Sequence, residues 1–166
     1  ASIERIGLNF GAPGDRKTRD GTLWLDYPSV GGPSPKIRIE TKPKQPTFHY
    51  RHSNWMKAGA GWPRVAASAV EGLQELTLHD LKPGRYTVRL HFAEIANINP
   101  GGRVQTIRLQ GDAVLNRFDI RAEAKHRMTG IVRQSENVKV DGTLTLILEA
   151  STGQSLISGI EVIRVQ

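Results

Sequence analysis

The chain has 166 residues, a formal net charge of +7, 38% hydrophobic residues and no cysteine. That length suits one domain with a substantial buried core. The missing cysteines exclude disulfides, thiolate chemistry and zinc sites built on Cys, and no apolar run is long enough to cross a membrane as a helix.

Taken in chain order, IERIGLNF comes first and has the pattern of a strand. A Gly- and Pro-rich stretch follows, GAPGDRKTRDGTLWLDYPSVGGPSP, which reads as a long loop over 11–35. Within it TLWLD alternates like a strand, so Trp24, flanked by Leu23 and Leu25, is expected in the core. KIRIET is a further strand. FHYRHSNWMKAGAGWP starts extended and then turns irregular. A short helical turn is expected around Ala66–Glu71.

The second half alternates with period two. In RYTVRLHFAE, Tyr86, Val88, Leu90 and Phe92 share one face, while Thr87, Arg89 and His91 share the other. Leu144, Leu146 and Leu148 do the same in GTLTLILEA, and LISGIEVIRV is rich in β-branched residues. Pro83-Gly84, Gly111-Asp112 and Asp141-Gly142 separate the runs. The last two are expected to be hairpin turns, where φ > 0 is needed. Strands recurring about every ten residues predict an all-β sandwich or barrel.

These runs carry a resemblance. YTVRLHFAE at 86–94 after a Pro-Gly turn, GRVQTIRLQGDAVLNRFDI at 102–120, DGTLTLILEA at 141–150, ISGIEVIRV at 157–165 and RIGLNFG at 5–11 together resemble the malectin and malectin-like domain family. The resemblance covers nearly the whole chain. It implies an antiparallel, jelly-roll-like β-sandwich over 1–166 with a sugar site in loops at one end. It also implies a carbohydrate-binding module of a larger protein, secreted, periplasmic or on a bacterial cell surface, with flanking domains as further partners. The start at Ala1-Ser2, close to a strand, fits such a module. Malectin has two adjacent aromatics shortly after Phe-Ala-Glu. Here Ala96 and Asn97 stand in that place, so no binding residue is carried over from the family.

Charge and aromatics favour the first half. Residues 1–66 hold 11 Lys and Arg against 5 Asp and Glu, a charge of +6, and all three tryptophans. Basic charge attracts anionic partners, and aromatic faces stack on the apolar C–H faces of sugars while polar side chains meet their hydroxyls. The candidate carbohydrate-binding residues are Tyr27, Tyr50, Arg51, His52, Asn54, Trp55, Trp62, Asn97 and Asn99. An acidic oligo- or polysaccharide is the expected partner.

Other chemistries are weaker. Tyr50 and His52 would share a strand face and could serve a polysaccharide lyase. Glu94 and Asp119 lie on strands but nothing pairs them for glycoside hydrolysis, and bonds to Arg or backbone groups are expected for both. Asp15, Asp20 and Asp26 are candidate ligands for a structural calcium. His79 and His91 lack metal-ligand spacing. The scattered basic residues match no nucleic-acid motif. No catalytic residue and no obligatory cofactor is assigned.

Overall fold

Alternation of apolar and polar side chains builds two sheets that share one core. The computed structural model describes residues 3–12, 14–28 and 37–166. The expected loop at 11–35 and the KIRIET strand thus fall partly outside the described residues. The strands are β1 (Arg5–Phe10), β2 (Arg16–Lys17), β3 (Leu23–Tyr27), β4 (Ile39–Lys42), β5 (Thr47–His49), β6 (Ala58–Gly59), β7 (Ala69–Glu71), β8 (Glu75–Leu78), β9 (Gly84–Phe92), β10 (Val104–Leu109), β11 (Asp112–Phe118), β12 (Thr129–Val140), β13 (Leu144–Thr152), β14 (Leu156–Ile157) and β15 (Gly159–Arg164). Two short helices, α1 (Pro63–Ala66) and α2 (Ile120–Ala124), and a 3-10 turn at Ser53–Trp55 interrupt them.

A seven-stranded sheet runs β2-β3-β1-β15-β9-β12-β6 and a five-stranded sheet runs β11-β10-β13-β8-β4. Tyr86, Val88, Leu90 and Phe92 of β9 face Leu76 and Leu78 of β8, Ile107 of β10 and Leu144 and Leu146 of β13 in a single buried cluster. The protein is therefore a jelly-roll-like β-sandwich: the alternation predicts a sandwich or barrel, and the family resemblance implies the jelly-roll form. Pairing is antiparallel except between β1 and β3 and between β6 and β12. A small third sheet, β14-β7-β5, closes one end.

Two turn expectations differ in outcome. β10 and β11 do pair as a hairpin, but its turn residues are Gln110 and Gly111, both at positive φ, one position earlier than expected. Asp141-Gly142 is not a hairpin turn. β12 pairs with β9 and β13 pairs with β10, so this turn carries the chain from one sheet to the other. The expected helical turn at 66–71 is also displaced, because α1 ends at Ala66 and Ala69–Glu71 is strand β7.

The outer face of the seven-stranded sheet is covered too. Trp24 lies against Gly7 of β1 and Gly159 of β15, where a Cβ on Gly7 would meet its ring at 2.5 Å. Trp62, Val65 and Gly61, from the segment around α1, close over Trp24 and His91. Trp24 is thus buried, as its Leu neighbours suggest, but in a second small core outside the sandwich. Among the described residues no helix is long and apolar enough to cross a membrane.

Candidate functional site

Strand directions gather the nominated loops at one end. β1 and β9 are both antiparallel to β15, and β3 is parallel to β1, so Tyr27 and the loop after Phe92 leave the sheet on the same side. Strand β5 is brought there by β7 and β14. Gly11 makes this close approach possible: at φ +85° it has no side chain, and a Cβ would sit 2.5 Å from the His49 carbonyl oxygen.

Beyond His49 the chain leaves the sheet. Tyr50, Arg51, His52 and Ser53 form one wall of a cleft, and Trp62, Pro63 and Arg64 form the other. The cleft encloses about 360 Å³, within the range of small-ligand sites. Tyr50 is half exposed, and the Trp62 ring tilts against buried Trp24 with centroids 6.4 Å apart. The His52 Nδ1 accepts from the Asn54 backbone N–H at 3.2 Å, which caps the 3-10 turn and fixes the ring. Because β5 ends at His49, the alternation expected to align Tyr50 with His52 does not apply. They meet through the loop instead.

The remaining candidates are dispersed. Asn54 and Trp55 sit on the 3-10 turn beside the cleft without lining it, and Trp55 is 56% exposed. Tyr27 packs edge-on against Phe10 and Phe48, and lines a different groove with Ile39 and Lys42. Asn97 and Asn99 are exposed in the loop before β10, where Asn99 supplies the carbonyl that accepts from Gly102 N–H. Sequence reasoning missed Arg64 and Ser53, whose only signal was their nearness to Trp62 and Trp55.

It also missed the frame under these loops. Arg103 is buried and reaches Glu94 at 2.7 Å, Glu71 at 2.9 Å and the Gln154 carbonyl at 2.7 Å. Glu94 accepts the Ala96 backbone N–H, and Glu71 also accepts from His49 Nε2. One guanidinium therefore ties together β7, with β5 through His49, the segment after β9 and the loop before β14. Burial opposes its charge, but the hydrogen bonds it donates to Glu94 and Glu71, with the charges of those carboxylates, outweigh burial and raise the Arg103 pKa. Glu94 thus bonds to Arg inside the fold, as expected. Asp119 accepts from the Gly101 and Ala122 backbone N–H groups and caps α2. The two carboxylates have separate structural duties.

The calcium candidates do not converge. Asp20 binds Arg5 at 3.4 Å and the Thr18 hydroxyl, whereas Asp15 and Asp26 accept backbone N–H groups of Asp26 and Gly14. Among the described residues no group of three His, Asp or Glu side chains is placed to hold an ion.

His91 is buried on the outer face of β9, edge-on to Trp24 at 5.1 Å. Burial, reinforced by the Arg89 charge, lowers its pKa from 6.5 to about 4. The unfolded chain takes up a proton below about pH 6.5 that the folded protein refuses until about pH 4, so stability falls with pH across that window. The expected loss by about pH 4.5 is roughly 2 kcal/mol. Urea unfolding should show this much more acid sensitivity in the wild type than in His91→Leu. Equal sensitivity would contradict the assignment.

Comparison with known proteins gives a family and a fold. A family model described as the malectin domain matches residues 75–163, which is the body of the sandwich and excludes the cleft. No curated protein matches the chain. Among solved structures, a β-glucuronidase from Bacteroides uniformis matches with TM-score 0.73 and 11% identity, covering 98% of this chain and 18% of that one. The ANXUR1 extracellular domain from Arabidopsis thaliana matches with TM-score 0.68 and 14% identity, covering 97% and 47%. The plant receptor-like kinase FER matches with TM-score 0.63 and 19% identity, covering 98% and 42%. The chain spans about a fifth of the glucuronidase and under half of the two receptor chains.

Proposed function

This chain belongs to the malectin domain family, and on that premise we propose that it is a non-catalytic carbohydrate-binding module that holds an acidic glycan in the Tyr50–Arg64 cleft. The observation that carries this reading is the convergence of two aromatic rings, Tyr50 and Trp62, with Arg51, Arg64 and His52 around one ligand-sized space. The rings offer apolar faces to a pyranose, and a guanidinium pairs with a uronate carboxylate or a sulfate through two parallel N–H bonds. Such a module acts as an appendage of an exported protein.

Titrating the protein with polygalacturonate, heparin and neutral dextran tests this. The two acidic polymers should bind more tightly than dextran and weaken as salt rises. Tyr50→Ala should lower affinity for them tenfold or more, about 1.4 kcal/mol, with little change in stability because Tyr50 is half exposed. Arg51→Ala should flatten the salt dependence. No unsaturated uronate should be released, which separates binding from a lyase acting through Tyr50 and His52. Equal, salt-independent affinity for neutral and acidic polymers would overturn the charge preference.

A second reading is favoured by Trp55, which stands exposed outside the cleft. A tryptophan in that position suits packing against a neighbouring domain. Absence of binding to every polymer by the folded protein would make that role the better account.

A further inference from the structure

We propose that His91 is a positioning residue for the cleft: its neutral imidazole is the seat on which residues 57–66 close, and proton uptake by that ring opens the segment and the cleft with it. This rests on the cleft assignment above.

The geometry couples the two directly. His91 is 5% exposed. A Cβ on Gly61 would lie 3.0 Å from His91 Nδ1, so the Gly61 backbone rests on the ring itself. Neither ring nitrogen has a hydrogen-bond partner among the described residues. A neutral imidazole tolerates such a site at some cost, but an imidazolium there would be an unpaired buried charge. The next residue after Gly61 is Trp62, which forms a cleft wall and shares Trp24 with His91.

The covering segment is anchored at its α1 end, where Val65 and Ala66 are buried and the Ala66 carbonyl accepts from the Ser158 hydroxyl at 3.3 Å, and at its start by two backbone bonds. The Lys57 N–H bonds to Met128 O at 2.9 Å and the Ala60 N–H to Gly130 O at 2.8 Å, with β6 only two residues long. The charges on the surrounding elements do not offer His91 a partner. Arg89 of β9 is engaged by Glu161 of β15 at 3.2 Å and by Gln134 of β12 at 2.8 Å. Asp26 of β3 accepts from Gly14 N–H. The segment itself carries Arg64 and the exposed Lys57, and the Arg89 charge opposes protonation of the ring. An imidazolium can therefore form only when the segment lifts and water enters.

Burial holds the closed-state pKa at about 4, against 6.5 for an exposed ring. At about pH 5 this difference raises the open-to-closed ratio by roughly 20-fold over neutral pH. Hydrogen exchange of the 57–66 amides, normalised to the β9 amides and to intrinsic rates, reads that ratio. We expect the roughly 20-fold rise in the wild type and none in His91→Leu. Saturating heparin should suppress the opening in the wild type. The same acid response in both proteins overturns the proposal, as does heparin that binds without slowing exchange. Heparin that fails to bind would instead remove the ligand reading while acid opening stood. If His91→Leu does not fold, NMR of the wild-type imidazole decides: titration near 6.5 with no change in 57–66 exchange also overturns the proposal.

Discussion

Replacing Arg103 with methionine is expected to destabilise the protein by roughly 3–5 kcal/mol, because it strands a buried carboxylate. Glu94 is fully buried, and Arg103 is its charged partner at 2.7 Å and 3.2 Å. The loss extends beyond that pair. Among the described residues the Glu71 side chain then keeps only His49, and the Gln154 carbonyl loses the Arg103 donor. The loops that shape the functional end are anchored on these groups, so their exchange protection should fall with the global stability. Chemical denaturation of the single variant and of Arg103→Met with Glu94→Leu separates the causes. The double variant should recover much of the loss, since an apolar pair leaves no charge behind. A single variant within about 1 kcal/mol of wild type would mean that water solvates Glu94, and that the network does not hold the end together.

Glu71 gives the network an acid limit. Burial opposes its ionisation, yet the Arg103 and His49 hydrogen bonds outweigh burial and lower its pKa below 4.5. Its contribution is present above that value and is lost as pH falls through the lower folded value. This window lies below the onset of the His91 window, so the two groups can be told apart in one titration.

The sandwich body was legible because its physics is local. Alternation in β9 and β13 follows from one buried face, and nothing elsewhere in the chain alters it. The Asp141-Gly142 turn shows where legibility stops. Its two residues encode a reversal of direction, but not whether the strands on either side pair or enter different sheets. α2 was hidden for another reason: it is five residues long, and its N-cap Asp119 looks the same in sequence as any strand-end carboxylate. The cover formed by residues 57–66 has no periodicity to detect. Its trace lies on the sheet it covers, in Gly7 and Gly159, two strand glycines that leave room for an indole. The site was legible only as composition. Tyr50, Arg51, His52 and Trp62 were named as residue types suited to sugars, and the fold brings those four together while leaving Tyr27, Asn97 and Asn99 in other places.

That same indole carries the second large effect. Trp24→Ala should cost about 3–5 kcal/mol, the range for emptying a buried aromatic site. Trp24 is 3% exposed, and it supports Trp62 on one side and His91 on the other. Its removal leaves a hole that neither glycine can fill. Trp62 then loses its backing, so affinity for acidic polymers should fall together with stability even though Trp24 does not line the cleft. Gly7→Ala approaches the same point from below. Its Cβ would sit 2.5 Å from the Trp24 ring, so the indole must move, at a cost of about 1–3 kcal/mol. Both stability and polymer binding should be measured for both variants. If Gly7→Ala weakens polymer binding under conditions where it is still folded, Trp24 sets the position of the cleft wall. If it lowers stability and leaves binding untouched, the outer core and the cleft are independent, and Trp62 is held by its own loop.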